Sequence, residues 1–267
     1  MIRAAVAGVA GRMGSRVAQI LGESEGVELA GGFEFSGHPL VGKDLAEAIG
    51  GSPTGRKIGG RIEEVLDSVD VIIDFTTAAS SLANLRAASA RGLPMVIGST
   101  GFTPEQLDEA RKLASSAACV ISPNMSVGVN ILFKMVAEAA RLLGEGCDIE
   151  IVEAHHRFKK DAPSGTALKL ARIVASALGR DLDEVGVYAR HGMIGERTGT
   201  EIGIQTIRGG DITGEHTVIF ASLGERIELV HKAHNRDNFA RGAIRAARWV
   251  VAQPHGMYDM SDVLGIK

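Results

Sequence analysis

The chain has 267 residues, 45% hydrophobic, 23% charged and only 4% aromatic, with a formal net charge of −3. This composition supplies a core for two modest domains or one large α/β domain and excludes a disordered chain. It offers no overall basic field for nucleic acid and little aromatic surface for stacking bases, and no apolar run reaches the ~20 residues that span a bilayer.

Residues 1–10 are apolar, but they are too short and too Gly-rich for a secretory leader and run straight into Gly11-Arg12-Met13-Gly14. Ile2 to Ala7 reads instead as a buried parallel strand ending at Gly8. A helix over 11–21 follows, with Val17, Ile20 and Leu21 inward, then a strand over 27–33. Residues 36–60 are Gly-rich and weakly periodic, so they read as a long surface connection. Strands over 69–75, 94–98 and 118–122 alternate with helices over 78–91 and 104–115. Such alternation implies βαβ units and a Rossmann-like, doubly wound parallel sheet.

After Asn124 the pattern changes. A long amphipathic helix over 129–143 precedes a strand over 148–154 and a helix over 164–178. Alternating apolar and polar positions at 201–207, 216–221 and 226–234 read as antiparallel strands, and 238–251 as a helix returning to the first domain. The expected organisation is α/β, with a dinucleotide-binding domain over 1–126, to which 236–267 return, and a central α+β domain over 127–235. Cys119 and Cys147 sit in apolar stretches outside any CxxC. That suits small core residues in a reduced, cytoplasmic setting and supplies no zinc or redox pair.

Gly8-Val9-Ala10-Gly11-Arg12-Met13-Gly14 lies between the first strand and the first helix. Its GxxGxxG spacing is slightly off the dinucleotide fingerprint, and glycine-rich turns of this kind also arise for packing alone. The context favours a ligand, because the turn lets backbone approach a pyrophosphate that the helix N-terminus can bind. Glu34 ends the second strand 20 residues after Gly14, where an acid accepts hydrogen bonds from the adenosine ribose. Gly98-Ser99-Thr100-Gly101-Phe102 and Ser122-Pro123-Asn124-Met125-Ser126 follow the fourth and fifth strands on the same edge of the sheet. Small polar loops there either reach ribose and nicotinamide or simply turn the chain.

Residues 153–167, Glu-Ala-His-His-Arg-Phe-Lys-Lys-Asp-Ala-Pro-Ser-Gly-Thr-Ala, set two histidines and two lysines ahead of a helix start. Ser164 can cap that helix, Gly165 admits a ligand to the backbone, and the N–H groups of the first turn attract an anion. Each charged side chain alone is ordinary solvated surface. Together they place proton donors and acceptors beside a cradle for carboxylate or phosphate. No metal is expected, since adjacent His155 and His156 cannot share a strand face, no HExxH or second histidine pair accompanies them, and the lysines repel a cation.

With Gly-x-x-Gly-Arg-Met-Gly near the N-terminus and Glu-Ala-His-His-x-x-Lys-x-Asp-x-Pro-Ser-Gly-Thr-Ala at mid-chain, the sequence resembles the 4-hydroxy-tetrahydrodipicolinate (dihydrodipicolinate) reductase family of diaminopimelate and lysine biosynthesis. The likeness spans essentially the whole chain, including 98–102, 122–126 and Arg208-Gly209-Gly210; the mid-chain motif is specific and the glycine motif is not. The resemblance implies NAD(P)H-dependent reduction of a cyclic dicarboxylate imine, a Rossmann domain made from both chain ends, and a central mixed-sheet domain that builds a homotetramer. It implies His155 and Lys159 as the acid/base pair, with His156, Ser164, Gly165 and Thr166 around the substrate carboxylates. It places Gly8, Val9, Ala10, Gly11, Arg12, Met13, Glu34, Gly98, Ser99, Thr100, Ser122, Pro123, Asn124 and Met125 around the cofactor.

Members that use NADPH well often carry an arginine directly after the ribose-binding acid, whereas here Phe35-Ser36-Gly37 follows Glu34. A 2′-phosphate would face Glu34 with no adjacent guanidinium, so a modest preference for NADH over NADPH is expected, with Arg12 and Lys43 as cations able to narrow it. Two rival readings stay open. A non-catalytic dinucleotide sensor would keep the glycine turn and Glu34 but has no use for His155, Lys159 and the Ser-Gly-Thr turn together. A semialdehyde dehydrogenase needs a catalytic cysteine in a polar loop, where neither cysteine lies.

Overall fold

The computed structural model describes residues 1–266. Two compact units make up the chain: Met1–Val127 with the segment from Arg236 onward, and Gly128–Asn235. In chain order the first unit has β1 (Ile2–Ala7), α1 (Arg12–Gly22), β2 (Val27–Phe33), α2 (Ala46–Ile49), β3 (Val71–Asp74), α3 (Ala78–Ser89), β4 (Met95–Ile97), α4 (Pro104–Leu113) and β5 (Ala118–Ile121). Helix α5 (Val127–Leu143) leads into β6 (Asp148–His155), α6 (Gly165–Ala177), α7 (Leu182–Val185), β7 (Gly186–Val187), β8 (Ile202–Arg208), β9 (Gly214–Ser222) and β10 (Glu225–Ala233). The chain returns with α8 (Asp237–Val250), β11 (Gly256–Tyr258) and α9 (Met260–Leu264).

The first sheet is parallel throughout, in the order β11-β5-β4-β3-β1-β2. Val6, Ile73 and Val120 pack on one face and Ile72, Met95 and Cys119 on the other, all fully buried. With both faces covered, the strands are unbroken apolar runs, as buried parallel strands must be. Side-chain caps start the helices between them: Thr77 caps α3, and Thr103 with Gln106 forms a capping box on α4. Strand order reverses at β1, which has β2 on one side and β3 on the other, so its carboxyl end at Ala7–Gly8 is the switch point where ligands of such sheets bind.

The second sheet runs β10-β9-β6-β8-β7. Helices α5 and α6 cover one face, burying Ile149, Ile151, Ile202, Ile204, Val218 and Phe220. The opposite face carries Val152, Ile207, Ile219 and Val230, with Ile207 49% and Val230 48% exposed. No helix among the described residues is long and apolar enough to cross a membrane.

Three features depart from the sequence expectation. The second sheet is mixed, as the family resemblance implies, and not antiparallel as the alternation alone suggests, because β6 pairs antiparallel with β9 but parallel with β8. Alternation reports a sheet with one covered face and carries no information on strand direction; the crossover containing α6 sets β8 parallel. Residues 36–60 are anchored rather than a surface connection. Leu45 and Ile58 are buried, the Asp44 carboxylate accepts N–H bonds from Ala46, Thr54 and Gly55, and Gly59 bridges parallel to Phe33. Strand β11 was not foreseen, since three residues are too few to display a period.

Helix α8 lies close against the loop after β5. A Cβ on Gly242 would sit 1.8 Å from the Met125 carbonyl oxygen, so Gly242→Ala forces helix and loop apart. The expected loss is roughly 1–3 kcal/mol, read as a lower urea midpoint at unchanged m-value. An unaltered midpoint would mean that the helix is free to shift.

Candidate active site

The candidate residues fall into two sets, one in each unit. In the first unit, Gly8 leaves β1 at φ +66°, a left-handed conformation open to glycine, and its N–H donates to the Phe33 carbonyl at 2.9 Å. Gly14 comes so near that a Cβ there would lie 1.9 Å from the Gly8 carbonyl oxygen. The Ala10 N–H donates to Glu34 Oε1 at 2.9 Å, tying the acid at the end of β2 to the glycine turn. Gly8, Gly11, Glu34 and Phe35 line a cavity of about 500 Å³. Met13, Gly98, Pro123, Asn124 and Met125 line a second, of about 280 Å³, and Phe75 borders both. A backbone turn that no side chain could occupy, with space at either end, fits a dinucleotide.

The other cofactor candidates lie differently. Val9 is buried, the Ser122 hydroxyl donates to the Asn124 carbonyl at 3.0 Å, and the Ser99 hydroxyl meets that of Ser81 at 2.8 Å. Ser81 donates in turn to Asp74, a buried carboxylate at the end of β3 that also accepts from Thr76 and Asn84. This network fixes the loops after β3 and β4, and the sequence reading missed it because Asp74 looked like one more strand residue. Arg12 and Thr100 are exposed and line neither cavity.

In the second unit, the inward row of β6 runs Ile149, Ile151, Glu153, His155, so an apolar stripe ends in two polar groups. Glu153 is fully buried and its carboxylate is saturated. It accepts from His155 Nδ1 at 2.6 Å, Arg208 Nη1 and Nη2 at 2.8 Å each, the Ser164 N–H at 3.0 Å and Thr206 Oγ1 at 3.2 Å. Burial alone would push this carboxyl up, but the bonds from His155, Arg208 and Ser164 outweigh it and hold it well below the ordinary carboxylate range. An ionised carboxylate only accepts, so His155 carries a proton on Nδ1 and keeps Nε2 for another partner. A Cβ on Gly214 would approach that Nε2 to 3.1 Å.

Ser164 caps α6, its Oγ accepting from the Ala167 N–H at 3.1 Å and lying 3.1 Å from His216 Nε2. His216, opposite Glu153 on β9, is buried and meets the His155 ring edge-on at 5.3 Å between centroids. Burial, with His155 beside it, pushes His216 down to about 3, so its ring is neutral near pH 7. The Ser164 hydroxyl is thus engaged by cap and ring, while Gly165 and Thr166 open the helix. Buried His156 Nδ1 has no hydrogen-bond partner among the described residues. Lys159 Nζ pairs with Asp161 at 2.8 Å with its side chain 21% exposed. Arg208 Nη2 also donates to the Asp161 carbonyl at 2.7 Å, joining Glu153 to the loop that carries Lys159.

Such a set can hold an anion at a helix N-terminus and exchange a proton beside it. Cys119 and Cys147 are buried, free thiols, and burial pushes Cys119 up, away from the reactive thiolate that a semialdehyde dehydrogenase needs. No group of three or more His, Cys, Asp or Glu among the described residues is arranged to hold a metal ion.

Sheet, glycine turn and acid define an α/β oxidoreductase that uses a nicotinamide dinucleotide. Dihydrodipicolinate reductase N-terminus matches residues 2–125 and dihydrodipicolinate reductase C-terminus matches 128–264, and the chain belongs to the dihydrodipicolinate reductase family. It is 70% identical over 267 residues to the 4-hydroxy-tetrahydrodipicolinate reductase of Syntrophobacter fumaroxidans and 54% identical to that of Syntrophus aciditrophicus, with all of each chain covered. A dipicolinate-bound dihydrodipicolinate reductase from Paenisporosarcina sp. TG-14 has a TM-score of 0.76 over 97% of each chain at 26% identity. The C-terminal match runs on to residue 264, whereas the segment from Arg236 packs with the first unit, so sequence halves and compact units do not coincide.

Acid should undo the second set from the histidine side first. An unfolded chain protonates His216 near its ordinary 6.5, while the folded chain resists down to about 3, so stability falls as pH drops through that window. Depressed Glu153 contributes a further loss only below its ordinary 4.5. From pH 7 to pH 5, His216 should account for about 2 kcal/mol of lost stability. Urea titrations of His216→Gln should show that slope flattened; an unchanged slope would assign the effect to another group.

Proposed function

We propose that the chain reduces 4-hydroxy-tetrahydrodipicolinate to tetrahydrodipicolinate with NADH or NADPH, in diaminopimelate and lysine biosynthesis. Full-length identity to reductases of that name supports the substrate, and the imidazole of His155, anchored on ionised Glu153 in the motif that leads into α6, supports the chemistry. Overall the reaction takes up one hydride and one proton and loses the ring hydroxyl as water. Bound NAD(P)H supplies the hydride.

The protein supplies position, charge and the proton. Glu34 and the backbone of Gly8 to Met13 hold the adenosine ribose and pyrophosphate, and Gly98, Pro123, Asn124 and Met125 hold the nicotinamide half, while Ser99, Thr100 and Ser122, which do not line the cavity, belong to the loops that carry those residues. His155 and Lys159 form the proton-transfer pair, with His155 exchanging at Nε2 because Nδ1 is committed to Glu153. His156, Gly165 and Thr166 take the substrate carboxylates, with Ser164 holding the turn that presents them. Negative charge developing on the ring meets the ammonium of Lys159 and the positive end of α6.

Three finer points belong to the same reading. NADH is preferred modestly, because Glu34 accepts from ribose hydroxyls and repels a 2′-phosphate; the ratio of the two dissociation constants at low ionic strength measures this. A cytoplasmic location is supported by two buried free cysteines. Half-exposed Ile207 and Val230 on the outer sheet face support a homotetramer built through the second unit, and sedimentation equilibrium should return four times the 28.0 kDa chain mass, a monomer refuting it.

The assay is oxidation of NADH with substrate generated in place by a synthase from pyruvate and aspartate semialdehyde. His155→Ala and Lys159→Ala should each lower kcat by about 10²–10⁴-fold, with the NADH dissociation constant near its original value. Near-normal turnover in both variants would refute the catalytic assignment.

A further inference from the structure

The cavity beside Glu34 has a wall that the sequence reading did not anticipate. Gly59 bridges parallel to Phe33, its N–H donates to the Gly32 carbonyl at 2.9 Å, and its carbonyl accepts from the Glu34 N–H at 3.0 Å. Gly60 packs against Ser36, where a Cβ would meet Ser36 Cα at 3.5 Å. Arg61 continues this line with extended backbone, φ −164° and ψ 160°. The segment from Gly59 to Gly60 therefore runs alongside Phe33 to Ser36, and Arg61, next in the chain, lines the cavity as Phe35 does.

Charge gives this position its meaning. The charged side chains lining the cavity are Glu34, Glu63 and Arg61, so Arg61 is its one cation among the described residues. Neither Arg12 nor Lys43 lines it. The Arg61 side chain is 73% exposed, and its ion pair with Glu64 Oε1 at 3.6 Å is too long for a hydrogen bond, which leaves the guanidinium donors to a ligand. An unphosphorylated ribose needs only the acceptor that Glu34 provides. A 2′-phosphate brings negative charge to a wall that already holds two carboxylates, and a planar guanidinium suits it by paired N–H bonds.

We propose that Arg61 is the residue that lets this chain use NADPH as well as NADH, by pairing with the adenosine 2′-phosphate. The proposal rests on the reading of this cavity as the adenosine end of the cofactor site. It makes discrimination a balance between Glu34 just after β2 and an arginine presented from the neighbouring segment, and it keeps the expected preference for NADH modest although no arginine follows Glu34.

Calorimetry on the full chain at low ionic strength, with NADH and NADPH, tests it. Wild-type protein should bind both, and Arg61→Ala should raise the NADPH-to-NADH ratio of dissociation constants about three- to tenfold. Arg61→Lys should restore part of that loss, and added salt should weaken NADPH binding less in Arg61→Ala than in wild type. Adenosine 2′,5′-bisphosphate against AMP repeats the comparison without the nicotinamide. An unchanged ratio, equal weakening of both cofactors (a guanidinium stacked on adenine), or a wild-type chain that binds NADH but not NADPH would each overturn the proposal. Binding of neither dinucleotide by wild type would instead remove the cofactor reading beneath it.

Discussion

A carboxylate buried without solvent is tolerable only when nearby donors replace the water it has lost, and Glu153 meets that condition with five. Those donors come from the end of β6, the first turn of α6 and the end of β8, so one side chain fixes three segments at once. Orientation of His155, placement of the α6 N-terminus and attachment of the Lys159 loop through Arg208 all derive from it. Because the carboxylate must be ionised to accept so many bonds, the tautomer of His155 follows rather than being set separately. Loss of Arg208 would leave a buried charge poorly compensated, which is the expensive way to break such a pair.

The first unit solves a different problem, with no buried ion pair at its centre among the described residues. Its glycine turn closes because Gly8 and Gly14 lack side chains, so selectivity for any ligand held there must come from the side chains around the backbone. Glu34 lines the cavity at one end. On the same cavity, Asp74 holds Thr76 and Asn84, and through Ser81 it steadies Ser99 in the loop after β4. Both acids stand at the carboxyl ends of parallel strands, where strand order leaves a crevice.

Much of this was legible in the sequence because it is local. Unbroken apolar runs marked the buried strands, the glycine spacing with Glu34 marked the switch point, and 153–167 carried proton donors and a helix start within one short stretch. What escaped was non-local. Glu153 and Arg208 are 55 residues apart and no periodicity links them, although both stand in motifs that were noticed. His216 looked like a polar position in an alternating strand until β9 set it opposite Glu153. The direction of β8 left no trace in alternation. Residues 36–60 hide two core anchors among glycines, and with them the segment that brings Arg61 to the cavity beside Glu34.

Because α8 and β11 return to a sheet begun by β1, the second unit is an insertion between β5 and α8. During synthesis, residues 128–235 can emerge and fold while β5 still presents an unpaired edge, which stays open until Gly256–Tyr258 pair with it. Completion moves that edge from four-residue β5 to the half-buried, three-residue β11, and short edge strands offer little to another chain. The returning segment therefore protects the protein from its own neighbours as well as closing the sheet.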